Sequence, residues 1–326
     1  MSKKKIVVIG GGVGTTPVLS GLKQYNDITL SVIVSMTDDG GSNAVVRDEF
    51  GLLPLSDLRK SIIALADSHN DLLREIFTYR FAKGEGLAGH TLGNLILMGL
   101  TDMKQGEVAA VDALSQLFRV KGCVIPVTLE KTTLMATYDD GSTIQSEHAI
   151  DEPEFDNPKR ITRLELNPQV QENPEASAAI RNADYIVVGP GDLFTTTLAN
   201  IIVGNIAKAI QSSSGTFVCI TNLMTKRGQT DTMKLRDTVN EIAAYVGREP
   251  DYIIAHKGVI PKEIMNKYAA SGQKRLEDDL GEDPCVVRQD VIFDEHIETE
   301  EGDTLVRSFL RHDPDKLAKI LRSIII

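Results

Sequence analysis

Short apolar runs alternate with helical patterns along this chain, and glycine or polar loops punctuate the changes. Residues 6–9 (Ile-Val-Val-Ile) read as a buried strand entering Gly10-Gly-Gly-Val-Gly14. Residues 15–24 then read as a helix with Pro17 in its first turn, where a missing N–H costs nothing. A second strand over 28–35 ends at Thr37-Asp38-Asp39-Gly40-Gly41-Ser42. Strand, glycine turn, helix and strand form a βαβ unit, which predicts an α/β fold with a Rossmann-like, doubly wound parallel sheet. Residues 57–67 are helical in pattern, with Ser56 as N-cap and Leu58, Ile62 and Leu65 on one face. Further helices are expected over 71–81, 91–101 and 108–120.

The middle of the chain changes period. Residues 132–138, a turn at Asp139-Asp140-Gly141-Ser142 and residues 143–146 predict a β-hairpin. Another strand follows over 161–166. Apolar alternation persists through these charged, proline-bearing residues, so 130–175 reads as a β-rich excursion within a single α/β domain spanning 1–326. The α/β rhythm then resumes. Strands over 185–188, 217–221 and 252–255 lead into Gly189-Pro-Gly-Asp192, Asn222-Leu-Met-Thr225 and His256-Lys257-Gly258. Asp313-Pro314 opens a final helix, with Asp as N-cap and Pro at the first position.

Composition narrows the partners. Forty-six acids against thirty-five bases leave a net charge of −11, a field that repels nucleic acid and anionic lipid. There is no Trp, and aromatics reach only 5%, which leaves little for a base-stacking surface. The three cysteines, Cys123, Cys219 and Cys285, form no CxxC pair or Cys/His cluster. That argues against zinc and disulfide frameworks and for a reducing, cytoplasmic setting. No apolar run is long enough to span a bilayer.

Three loops carry candidate chemistry. Glycines at 10–14 let backbone amides approach a phosphate at a helix N-terminus; the alternative is a plain βα turn, though four glycines exceed what a turn requires. No Gly-Lys-Ser/Thr follows, so this is not a P-loop, and Thr15 replaces the third glycine of a dinucleotide fingerprint. The adjacent Asp38 and Asp39 could hold Mg²⁺, accept ribose or base hydrogen bonds, act as a general base, or belong to an Asp-Gly turn capped by Ser42. Gly191, in the second glycine turn, offers another anion cradle, with Asp192 expected to cap the following helix. Isolated Arg47, Arg59 and Arg311 could supply positive charge, although lone arginines are usually surface groups. His90 alone reads as a cap or packing residue.

Taken in order, these segments resemble the bacterial YvcK family of gluconeogenesis factors, within the superfamily of the 2-phospho-lactate transferase CofD. The matching segments begin with Gly10-Gly-Gly-Val-Gly14, Asp38-Asp-Gly-Gly-Ser42, Asp57-Leu-Arg59 and Gly89-His-Thr-Leu-Gly-Asn94. They continue with Gly189-Pro-Gly-Asp-Leu193, Asn222-Leu-Met-Thr225 and Arg311-His-Asp313. Arg47-Asp48-Glu49 and 53–59 resemble the regulator branch, because the His-Gly-Leu and Pro-Asp-Leu-Asp segments of the transferases are missing. That resemblance implies a non-catalytic sensor for a nucleotide sugar such as a uridine-diphosphate amino sugar, tied to carbon metabolism, wall synthesis and cell shape, and a homo-oligomer. It places the amides of Gly11, Gly12 and Gly14 at the diphosphate and Asp38 at the sugar or nucleoside. Asn94, Asn222 and Asp231 would add polar contacts, while Tyr268 and Arg311 would close over the ligand. The alternative is a transferase in which Asp38 and Asp39 hold Mg²⁺ and position an acceptor hydroxyl. A vestigial scaffold is a third reading. Departures from the regulators include Val13, Ala44, Val45, Leu55-Ser56, Phe194, Lys226-Arg227 and Thr238, several at the expected ligand loops.

Overall fold

The apolar runs become the centre of a seven-stranded, wholly parallel sheet in a computed structural model. It describes residues 2–40, 43, 52–67, 71–84, 86–155, 159–293 and 309–325, so Gly41, Ser42, Ala44, Val45 and the segment Arg47-Asp48-Glu49 lie outside the described residues. The strand order is β10-β9-β8-β7-β1-β2-β3. Strands β1 (Lys4–Gly10), β2 (Ile28–Val34), β7 (Tyr185–Val188), β8 (Thr216–Ile220) and β9 (Tyr252–His256) fall where the pattern predicts. Continuous burial along their ends reflects helices covering both faces, as a parallel sheet requires. The outer strands β3 (Cys123–Pro126) and β10 (Val286–Gln289) were not expected; β3 is short and closes on Pro126, a residue that argues against a strand, and β10 is only half-buried.

The excursion forms its own three-stranded antiparallel sheet, β5-β4-β6, from β4 (Thr133–Tyr138), β5 (Thr143–Gln145) and β6 (Ile161–Asn167). Alternate residues Leu134, Ala136, Tyr138, Leu164 and Leu166 are buried, and one apolar cluster joins them to the main core. Between β5 and β6 the chain makes a short helix, Glu147–Asp151, capped by Ser146 Oγ, which accepts from the Ala149 N–H.

Helix α1 (Gly12–Leu22) starts three residues earlier than the pattern suggests, so its first turn contains Gly12 and Gly14 and Pro17 lies inside it. Helix α2 (Ser56–Leu65) buries Leu58, Ile62 and Leu65 as expected. Ser56 does not cap it. Its hydroxyl donates instead to Asn43 Oδ1 at 3.0 Å, and that same oxygen, reaching in from outside the helix, accepts from the Leu55 and Ser56 N–H groups at its start. Helices α3 (Asp71–Thr78), α4 (Leu92–Lys104) and α5 (Glu107–Leu117) follow. Thr91, beside His90, caps α4 by accepting from the Asn94 N–H. At the end of the chain Asp313 caps helix 314–325, accepting from the Lys316 N–H at 2.8 Å. Gly21 lets that helix cross α1 closely, since a Cβ there would lie 2.2 Å from the Pro314 carbonyl. No single helix among the described residues is long and apolar enough to cross a membrane.

Candidate functional site

The order of strands creates the site. From β1 the chain winds outward through β2 and β3, and from the adjacent β7 it winds the other way through β8, β9 and β10. The loops after β1 and β7 therefore diverge at a topological switch point, where open α/β sheets bind ligands. These loops are the two glycine turns. A Cβ on Gly14 would lie 2.3 Å from the Pro190 carbonyl oxygen, so the loops touch backbone to backbone and only glycine fits. Gly12 adopts φ of 61°, in the left-handed region. Asn200, on the helical segment that follows the second loop, braces the first from below: its Nδ2 donates to the Gly10 carbonyl at 3.0 Å and to the Thr196 carbonyl of its own segment at 2.8 Å.

Above them lies a cleft of about 650 Å³. Its lining includes Gly11, Gly12, Gly14, Asp38, Asn94, Gly191, Asn222, Tyr268 and Arg311, brought together from seven distant segments. Two expected residues are not part of the lining. Asp39 turns to the excursion, where its carboxylate accepts from Ser146 Oγ and the His148 N–H, both at 2.9 Å. Asp231 closes its own turn by accepting from the Gly228 N–H at 2.6 Å.

Several lining residues have local duties. Asn222 Oδ1 accepts from the Gly191 N–H at 3.3 Å, holding the second glycine turn to the end of β8. Asn94 is buried, and its Oδ1 accepts from Arg59 Nε at 2.7 Å. Arg59 is no surface group: it is 6% exposed, and it also donates to the Phe77 carbonyl at 2.8 Å. Gly93 is required beside it, because a Cβ would meet Phe77 O at 2.4 Å and Arg59 Cδ at 2.6 Å. Tyr268 is buried edge-to-face against Phe309 at 5.5 Å, and its hydroxyl accepts from the Leu310 N–H. Tyr268 thus fixes the backbone next to Arg311 as well as lining the cleft.

The model for the 2-phospho-L-lactate transferase CofD matches residues 6–292. The gluconeogenesis factor of Bacillus subtilis is 34% identical over 321 residues, covering 98% of this chain and 97% of that protein. The gluconeogenesis factor of Listeria monocytogenes is 33% identical over 329 residues, covering 98% and 95%. A crystal structure of a UPF0052-family protein from Bacillus halodurans superposes with a TM-score of 0.88 at 31% identity, covering 99% of both chains. The chain belongs to the CofD family.

The cleft of this family member carries more acid than the sequence suggested. Asp57 of α2 lies against the first glycine loop: a Cβ on Gly11 would meet Asp57 Oδ2 at 2.4 Å. Its partner is Lys60 Nζ at 3.0 Å. Asp38 Oδ1 accepts from the Gly40 N–H at 3.0 Å and Oδ2 from Asn43 Nδ2 at 2.7 Å. Burial and the neighbouring Asp57 push Asp38 up to about 6, against the pull of Lys60 and these hydrogen bonds. Glu147 enters from the excursion helix, and burial together with Asp38 and Asp151 drives its carboxyl well above the usual range.

Asp192 does not cap its helix; no side-chain cap bond forms there. Instead Lys226 Nζ sits 2.7 Å from Asp151 and 3.6 Å from Asp192. Burial nevertheless pushes Asp192 up to about 6, while the two carboxylates raise Lys226. Lys226 is therefore committed to protein carboxylates, and Arg227 donates outward to the Phe155 carbonyl. Neither is an idle cation awaiting a phosphate. In the sequence Asp57 was marked only by its place in the family segment Asp57-Leu-Arg59, and Glu147 and Asp151 carried no signal, since a carboxylate on a short helix reads as a solvated face.

Mg²⁺ is a poor fit to these residues by themselves. Asp38 and Asp39 point to different partners, and among the described residues no three His, Cys, Asp or Glu side chains converge on a metal position.

Proposed function

We propose that this chain binds a uridine-diphosphate amino sugar, UDP-N-acetylglucosamine or a close analogue, as a non-catalytic regulator. In this reading it acts in the cytoplasm and links central carbon metabolism to cell-wall synthesis and cell shape. The observation that carries the reading is the meeting of two glycine loops at the switch point, with Arg311 on the same cleft. Loop amides at a helix N-terminus suit a diphosphate, and a guanidinium can grip it bidentately. A volume of about 650 Å³ lies within the usual range for ligands of nucleotide-sugar size. The carboxyls of Asp38 and Glu147 suit sugar hydroxyls, which donate to carboxylates and accept from carboxylic acids.

Isothermal titration with UDP-N-acetylglucosamine, UDP and free N-acetylglucosamine tests the reading. The diphosphate ligands should bind, and Gly12→Val should abolish that binding, because Val tolerates positive φ poorly and its side chain crowds the loop. Absence of heat with millimolar UDP-N-acetylglucosamine would reject this ligand. Turnover of guanylylated phospho-lactate with a deazaflavin acceptor would replace the regulatory reading with transferase chemistry.

A further inference from the structure

Among the described residues, five Lys and Arg side chains line the cleft: Arg59, Lys60, Arg80, Lys226 and Arg311. Arg59 holds Asn94 and the Phe77 carbonyl, Arg80 donates to the Gly89 carbonyl, and Lys226 is gripped by two carboxylates. Lys60 differs in where it stands. Its ammonium lies 3.8 Å from the position a Gly12 Cβ would take, over the backbone that opens α1. The packing of α2 along α1 puts it there. Asp57, in the first turn of α2, touches Gly11 and Gly12, while at the other end Ser20 Oγ and Lys23 Nζ donate to the Ala64 and Ala66 carbonyls at 3.5 and 2.7 Å. The two helices therefore start side by side, and the positive ends of both dipoles face the cleft. Leu58, Ile62 and Leu65 bury in the core, which leaves Asp57 and Lys60, at i and i+3, on the cleft side.

Electrostatics decides what Lys60 does. Asp57 Oδ2 fills the space a Gly11 Cβ would need, and this side chain is only 13% exposed, so a carboxylate stands on the first glycine loop. Uncompensated, it would repel any phosphate resting on the same amides. Lys60 Nζ, 3.0 Å from Asp57 Oδ1, offsets that charge and spends one of its three donors in doing so. Its side chain is 31% exposed, and the remaining N–H groups are left for the cleft. The second glycine turn offers nothing comparable. Its lysine, Lys226, is shared by Asp151 and Asp192, and its Gly191 N–H already donates to Asn222. We infer that Lys60 is a phosphate-binding residue and that the first loop, not the second, takes the phosphate. Lys60 donates to that phosphate while it shields the phosphate from Asp57, and Arg311 grips the diphosphate from another wall. The inference rests on the reading of the cleft as a diphosphate site and says which loop and which additional cation serve it.

Isothermal titration of the full chain with UDP-N-acetylglucosamine, UDP and uridine, at fixed ionic strength and with EDTA, tests this. Lys60→Met should weaken both diphosphates roughly 10- to 100-fold, as for loss of a charged hydrogen bond, and leave uridine nearly unchanged. Lys60→Arg keeps the charge and should recover most of the loss. Lys104→Met removes one exposed lysine outside the cleft and should bind like the unsubstituted protein, which separates local from net charge. Reductive ¹³C-methylation of the unsubstituted chain gives a readout that needs no loss of charge. The lysine methyl resonance missing from Lys60→Arg should move on adding inorganic pyrophosphate, while that of Lys226 stays. Undiminished UDP affinity in Lys60→Met, equal losses for UDP and uridine, or a Lys226 resonance that moves while Lys60 stays would overturn the inference and leave the diphosphate reading standing. An unsubstituted chain that binds neither diphosphate would reject that reading first, and the role of Lys60 with it.

Discussion

Replacing Asp38 by Asn should stabilise the protein at alkaline pH, although it removes a hydrogen bond. Asp38 is an acid whose folded pKa, about 6, exceeds its ordinary 3.8, with burial as the first cause and Asp57 as the second. A raised acid binds protons more tightly when folded, so its penalty grows as pH rises from 3.8 and is complete above about 6. Roughly two units at 1.36 kcal/mol each give about 3 kcal/mol. Against this, one of the two bonds to Asp38 must be lost. Asn43 cannot rotate to help, because its Oδ1 already accepts from the Leu55 N–H, the Ser56 N–H and Ser56 Oγ. An asparagine amide would therefore face Asn43 Nδ2 donor to donor, at about 1 kcal/mol. The net gain above pH 7 is about 2 kcal/mol, or roughly 3 °C in Tm for a chain of this length. As pH falls through the window from 6 to 4 the gain should shrink towards zero and then reverse. Differential scanning calorimetry across that range measures it. A Tm difference that does not vary with pH, or a destabilised variant at pH 8, would refute the assignment of a strained carboxylate.

Gly14→Ala should lower Tm by several degrees and weaken ligand binding, because its Cβ would lie 2.3 Å from the Pro190 carbonyl and the two loops would have to part; calorimetry and titration report both effects. Lys226→Met leaves Asp151 and Asp192 unpaired, and because these groups are only partly buried the expected loss is about 2–3 kcal/mol. That loss should be smaller at pH 5 than at pH 8 by denaturant melts, since Asp192 already takes up protons near 6. Arg311→Ala should cost diphosphate ligands about 2 kcal/mol, roughly thirtyfold, and leave a free nucleoside nearly unchanged in titration. His312 is buried at the edge of the cleft, and that burial lowers its imidazole to about 4. Its stabilising contribution is complete above 6.5 and lost as pH falls towards 4, and a ring-proton resonance assigned to His312 that titrates near 6.5 would contradict this.

The parallel core was legible because buried strands in α/β proteins are short, unbroken apolar runs, and glycine turns mark where they end. Strand β3 escaped because its short apolar run closes on Pro126, and β10 because a half-buried edge strand needs no such run. The cleft floor was legible too, since Gly12 and Gly14 are demanded by backbone conformation and by close approach, which leave glycine as the residue type. The acidic wall was not. Asp57, Glu147 and Asp151 owe their roles to the tertiary neighbours Gly11, Asp38 and Lys226, all remote in sequence, and a single carboxylate carries no mark of what will face it. Lys226 illustrates the same limit: in sequence it is only a departure from the regulators at an expected ligand loop, yet it is neutralised by two carboxylates contributed by the excursion and by the second glycine loop.

The contact between Gly14 and the Pro190 carbonyl has a consequence for how such clefts diversify. Two loops that meet backbone to backbone cannot be widened, lengthened or re-aimed one at a time; any change in one is a collision or a gap for the other. The floor is thereby frozen by geometry whatever molecule rests on it. Novelty in what the pocket accepts must come from its sides, from the excursion that delivers Glu147 and the helix α4 that delivers Asn94. Exchanging those walls between relatives, over an unaltered floor, should transfer ligand preference without rebuilding the sheet.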